Sequence, residues 1–167
     1  MQVLRKRLSV LLQGARTFPG TIFANISAIA DVSAEEALTA AKLAAFLDVI
    51  EKLPMWLYTI VTDKDAALST GGIQRLLLAR CFASKPDVML LDEPLSSLDG
   101  VIKNEIISNL LNMPITRIII THDLSLVKAC DNILVMDTGR IVESGDYKTL
   151  IDTPGYFRQC IASQLIQ

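Results

Sequence analysis

The chain has 167 residues, 51% of them hydrophobic and 20% charged, with a formal net charge of −2. That length and composition describe about one globular domain with a real apolar core and exclude a disordered chain. The basic residues are scattered after the opening Arg-Lys-Arg, which argues against an electrostatic nucleic-acid binder, and no apolar run approaches the roughly 18 to 20 residues of a membrane span.

The opening MQVLRKRLSVLLQG lacks a small-residue cleavage site, so no signal peptide is expected and the chain itself is expected to be soluble. Residues 3–12 read as a strand ending near Gln13. A Gly- and Pro-containing loop and a short apolar piece, IFANISAIA, come next. Ser33-Ala34-Glu35-Glu36 is a capping box ahead of ALTAAKLAAFLDVIEKL, whose spacing predicts one amphipathic helix. PMWLYTIVTDKDA reads as irregular. LSTGG then opens the helix IQRLLLARCFASK, stopped by Pro86.

DVMLLD has the continuous apolar character of a strand covered on both faces. A helix halted before Pro114 and a second buried strand, TRIIITH, come after it. NILVMDTGRIVESG predicts a hairpin turning at Asp137-Thr138-Gly139, and the tail reads as two short helices split at Pro154-Gly155. The order is that of an α/β protein with a mainly helical insert from about residue 21 to 67. Cys81, Cys130 and Cys160 have no metal-ligand spacing and are expected to be reduced, buried, small hydrophobes in a cytosolic compartment.

Four segments carry chemistry. LLDE puts Asp92 and Glu93 where a parallel strand ends, the edge at which open α/β sheets bind ligands. One reading makes Asp92 a Mg²⁺ ligand and Glu93 the group that polarises a water; the other makes them a helix cap and a solvated neighbour. LSTGG at a helix N-terminus offers backbone N–H groups to phosphate, or else Ser69 merely caps the helix. The only histidine, His122, ends a buried strand and is structural or an acid–base group. Gln13 ends the first strand and could reach the same edge, or is a routine surface residue.

In their order and spacing, these segments closely resemble the ATPase domain of ABC transporters, from Gln13 to the C-terminus. DVMLLDEPLSSLD resembles the Walker B strand and D-loop. The resemblance implies an α/β fold, the C-terminal part of a P-loop, RecA-like ATPase domain with a helical subdomain insert. It divides the chain into a Q-loop strand and loop (1–20), a helical subdomain ending in the signature helix (21–83) and a Walker B, D-loop and H-loop core (84–167). It implies ATP and Mg²⁺ as cofactors. Gln13 becomes the Q-loop residue touching Mg²⁺ or the attacking water, and Ser69, Thr70 and Gly71 become the signature segment facing ATP held by the opposite subunit. Asp92 orders Mg²⁺, Glu93 is the catalytic base, Asp99 belongs to the D-loop and His122 is the switch residue.

The implied partners are a second ATPase domain, head to tail, and an exporter's transmembrane domain at the cytoplasmic face of the membrane. No nucleic acid is expected. QGARTFPGTIFANI and GRIVESGDYKTLIDTPGYFRQ resemble exporter patterns, including those of peptide and bacteriocin exporters.

The chain departs from the family in three places. None of its eight glycines is followed by lysine, so no Walker A loop is present to hold the β- and γ-phosphates, and the chain alone is expected not to hydrolyse ATP. L68-S-T-G-G-I-Q-R75 aligns without gaps to the signature, with Thr70 at its first glycine and Gly72 at its glutamine. Thr62-Asp63-Lys64-Asp65 keeps an acid but not the glycines of the exporter's coupling segment. The alternatives are a truncated, non-catalytic partner of an intact ATPase subunit, and a soluble ABC ATPase outside transport.

Overall fold

The structure, a computed structural model, describes residues 7–62 and 68–164. Asp63, Lys64 and Asp65 of the expected coupling segment lie outside the described residues. The chain divides into two compact units, Met1–Thr121 and His122–Gln167.

The first unit runs β1 (Leu8–Leu11), β2 (Gly20–Thr21), α1 (Ile22–Ile26), α2 (Ala34–Leu43), α3 (Leu47–Ile50), β3 (Ile60–Val61), α4 (Thr70–Ala83), β4 (Val88–Asp92), α5 (Gly100–Asn112) and β5 (Thr116–Ile120). β1, β4 and β5 form a parallel sheet with β4 in the centre, in the register Val10–Leu90–Ile118. β2 and β3 form a two-residue antiparallel ladder, so part of the segment expected to be irregular is ordered.

Successive side chains in a strand point to opposite faces. Ser9, Leu11, Met89 and Leu91 are buried on the face where α4 packs against β1. Leu8, Val10, Ile118 and Ile120, on the other face, are exposed. Of the strands expected to be covered on both sides, β4 is buried on one face and half-buried on the other, and β5 is half-buried on one face and exposed on the other, because an unbroken apolar run reads the same in every case.

The capping box forms as expected: Glu36 N–H donates to Ser33 Oγ at 3.2 Å, and Ser33 N–H donates to Glu36 Oε2 at 2.9 Å. The helix it opens ends ten residues on, not at Leu53. Ala45 takes a left-handed φ of 49°, its N–H reaches back to Lys42 O, and Phe46 N–H reaches Ala41 O at 2.8 Å. That pair of bonds is a Schellman closure, which usually recruits glycine. The cause is remote. Arg75 of α4 donates to Ala45 O and pairs with Asp48 at 3.0 Å, and its guanidinium lies 6.0 Å from the Phe46 ring centroid. Phe46 is fully buried at the break.

α4 fits its expected start, with Ser69 Oγ accepting from Gly72 N–H at 3.1 Å. No residue from Gly71 to Ala83 is exposed, since α1, α2 and β1 pack around it. Arg80 near its end donates to Asn25 O and Asn25 Oδ1, both at 2.7 Å, and stacks on Phe18. Asn25 in turn holds the loop between β1 and β2 through both backbone groups of Phe18.

The second unit holds α6 (Leu124–Ala129), β6 (Ile133–Asp137), β7 (Arg140–Gly145), α7 (Tyr147–Asp152) and α8 (Tyr156–Gln164). β6 and β7 form the expected hairpin around Thr138 and Gly139, both at positive φ (46° and 77°) as a two-residue turn demands. Leu150, Phe157 and Ile161 are its core. Glu143 accepts from the N–H groups of Tyr156 and Phe157 at the start of α8. A Cβ on Gly155 would overlap that carboxylate. Of the cysteines, Cys81 is buried as expected, and burial pushes its thiol pKa up. Cys160 is exposed, against expectation.

Ala45→Gly relieves the left-handed strain and is expected to stabilise the protein by about 0.5–1 kcal/mol, read by urea denaturation. Glu36 has its pKa lowered by its bonds to Lys85 and to the Ser33 N–H. A depressed carboxyl stabilises above its unfolded pKa and loses that contribution as pH falls through the folded value. Denaturation midpoints of Glu36→Gln are therefore expected to fall less than wild type on acidification from neutral pH through the carboxylate range.

Candidate functional site

A cavity of about 190 Å³ lies at the carboxyl end of the parallel sheet, within the first unit. Gln13, Asp92 and Glu93 line it together with Thr70 and Gln74 of α4. Three of the residues expected to act together, from two separate strand ends, thus share one concavity. A larger depression of about 400 Å³ around Phe23 and Asp31 has one titratable side chain in its lining and no comparable set of polar groups.

Local structure explains each placement. β1 ends at Leu11, and Ala15 N–H bonds Leu12 O at 3.0 Å across a turn with Gly14 at φ 76°. Gln13 is thereby lifted, exposed, onto the sheet edge. Asp92 is the last residue of β4, paired in register with Ile120. Glu93 follows in a left-handed conformation, φ 48°, which costs a non-glycine residue about 1–3 kcal/mol. The residue before a proline is also driven towards extended backbone, and Pro94 follows. Glu93 is held there at both ends: its N–H donates to Ile120 O at 2.9 Å, and its C=O accepts from Gln74 Nε2 at 2.9 Å and Ser96 Oγ at 3.2 Å.

The first turn of α4 packs on the loop after Glu93. A Cβ on Gly71 would lie 3.1 Å from Ser97 O and 3.3 Å from Leu98 Cδ2, so a side chain here would make the loop give way by a few tenths of an ångström. Gly72 meets only ordinary contacts at 3.4 Å or more. Ser69 and Thr70 are exposed at the helix start. Ser69 Oγ serves as the cap and is occupied by the Gly72 N–H.

Asp99 caps α5, accepting from Ile102 N–H at 3.1 Å. His122 is exposed, two residues beyond β5, and opens the second unit. Gln74 was not singled out by sequence reasoning, because a glutamine inside a helix reads as surface; the available signal was its place within the ungapped signature match at residues 68–75, one turn from Thr70. Among the described residues, no three His, Cys, Asp or Glu gather into a metal cage. Two adjacent carboxylates and an amide oxygen are nevertheless a donor set that suits Mg²⁺, which takes most of its ligands from water and phosphate.

A parallel sheet with two acids and a glutamine at its carboxyl edge, beside a capped helix start, defines an α/β protein with polar groups gathered at the edge where open sheets bind ligands. Comparison with known proteins makes it particular. A family model described as ABC transporter matches residues 1–96. The chain is 39% identical over 165 residues to the ATP-dependent lipid A-core flippase of Haemophilus influenzae, covering 96% of this chain and 28% of that protein. It is 36% identical over 158 residues to the mitochondrial iron–sulfur clusters transporter ABCB7 of Danio rerio, covering 93% and 21%. It is 33% identical over 164 residues to the transport/processing ATP-binding protein ComA of Streptococcus pneumoniae, covering 97% and 23%. A bacterial Atm1-family ABC exporter solved with ATP bound superimposes with a TM-score of 0.91 at 34% identity, over 98% of this chain and 29% of that one.

The chain belongs to the ABC transporter family, and its fold is that of the family's ATPase domain. It spans about a fifth to three-tenths of the length of these relatives.

Gly71→Ala forces the α4 start and the Ser97 carbonyl apart. It is expected to cost about 1–2 kcal/mol in chemical denaturation, and Gly71→Val more.

Proposed function

We propose that this chain supplies the Q-loop, signature, Walker B and switch segments of an exporter's ATPase domain. The observation that supports it most is the gathering of Gln13, Asp92 and Glu93 around one cavity at the sheet's carboxyl edge. In this reading Asp92 and the Gln13 amide oxygen hold Mg²⁺, which neutralises phosphate charge when bound with ATP. Glu93 orients and polarises the attacking water through its carboxylate. The bonds to Ile120 and Gln74 fix its main chain before substrate arrives, the preorganisation on which such catalysis depends. His122 is the switch residue. Ser69, Thr70 and Gly71 present backbone to a nucleotide held by a second ATPase domain in a head-to-tail pair, with Asp99 in the intervening D-loop.

The organisation follows the same logic. Residues 1–20 carry the Q-loop, 21–83 the helical subdomain and 84–167 the catalytic core. A transmembrane exporter domain is the partner, with the ATPase at the cytoplasmic face of the membrane, and phosphate-cradling residues come from outside these 167.

Glu93→Gln, in the intact transporter subunit carrying this chain, is expected to lower ATP turnover by roughly 10²-fold or more while ATP binding persists. Turnover within a few-fold of wild type would sink the assignment of Glu93. In the same experiment the 167-residue chain alone is expected to show no saturable Mg-ATP binding by calorimetry up to about millimolar ATP. Saturation there would mean that the chain carries its own phosphate cradle.

A further inference from the structure

We propose that Gln74 is a positioning residue for Glu93. One side-chain amide sets the catalytic loop 93–97 against the start of the signature helix, so that the segment facing one nucleotide and the carboxylate serving the other move together. The inference rests on the reading of Glu93 and of residues 69–71 given above.

Gln74 uses both halves of its amide. Nε2 donates to Glu93 O at 2.9 Å and lies 3.4 Å from Ser96 Oγ; Oε1 accepts from Ser97 N–H at 2.9 Å. The loop is therefore gripped at its first and last residues by one planar group. One turn earlier on the same helix, Gly71 lets the Ser97 carbonyl approach to where a Cβ would stand 3.1 Å away. Helix and loop are thus in contact through the side chain at 74 and the bare backbone at 71.

The backbone at Glu93 explains why the grip matters. Its φ of 48°, ahead of Pro94, is not a conformation the residue keeps unaided. The N–H is pinned to Ile120 O, but the carbonyl depends on Gln74 and Ser96. If the bond from Gln74 is lost, the Glu93–Pro94 peptide can turn towards extended backbone, and the Glu93 side chain swings with it. Leucine offers neither bond. Ionised glutamate accepts from Ser97 N–H but cannot donate to Glu93 O. The two bonds are therefore separable by mutation.

The test compares Gln74→Leu and Gln74→Glu with wild type by two readouts. In the 167-residue chain, residue-resolved amide exchange of Ser97 is expected to accelerate roughly tenfold or more in Gln74→Leu and to stay near wild type in Gln74→Glu. In the intact transporter subunit, kcat is expected to fall roughly tenfold or more in both variants, with KM for ATP within about twofold. Ser97 protection unchanged in Gln74→Leu would overturn the grip itself. A normal kcat in Gln74→Glu would overturn the positioning role, as would a loss carried by KM. If Gln74→Leu does not fold, the Gln74→Glu kinetics decide alone. Glu93→Gln measured alongside separates the two ideas: normal turnover there defeats the reading of Glu93 and the catalytic half of this inference, whatever Gln74 does to the loop.

Discussion

One helix organises the first unit. From Gly71 to Ala83, α4 has no exposed residue, so it cannot be amphipathic in the usual sense and must be surrounded. Its polar side chains, half-buried or buried, are consequently spent on other parts of the chain. Gln74 donates to Glu93 O, Arg75 to Ala45 O and Arg80 to Asn25 O. Each acceptor is a main-chain carbonyl at or beside the end of a regular element: just after β4, at the break after α2 and at the last turn of α1.

This arrangement links stability to function without large energies. A hydrogen bond of this kind contributes about 0.5–3 kcal/mol net, and the Arg75 Nε, buried without a partner, subtracts from the sum. What the ties supply is geometry. The left-handed residues Ala45 and Glu93 both sit on carbonyls that α4 holds, and Asn25, fully buried, passes the grip of Arg80 to the loop that begins beyond Gln13. Three sides of the candidate site, the Gln13 turn, the Asp92–Glu93 corner and the helix start, therefore share one support.

What could be read from the sequence was what local chemistry decides. The Ser33–Glu36 box, the Ser69 cap and the Thr138-Gly139 turn each depend on residues within four positions, and all formed as expected. The end of α2 was invisible because the apolar spacing runs on through Ala44, Ala45 and Phe46, while the residue that draws the break in is thirty positions away. Gln74 was invisible for the same reason: its partners are nineteen and twenty-three positions on. The uncovered face of β1, β4 and β5 could not be anticipated either, since Leu8, Val10, Ile118 and Ile120 would look identical beneath a helix. Cys160 differs from Cys81 in surroundings, not in chemistry. That Gln13, Thr70, Asp92 and Glu93 share one cavity was legible because the order and spacing of their segments are more specific than any one of them.

Three of the ties of α4 end on main-chain oxygens. Each is a particular side chain reaching an oxygen that every amino acid possesses, so the donors are fixed by their identity and the acceptors only by the path of the chain. Divergence can thus rewrite Ala45 without unmaking its tie, whereas a change at Gln74, Arg75 or Arg80 removes one outright. Within such a lineage, the variable letters would cluster on the receiving segments and the invariant ones on a single helical turn and a half.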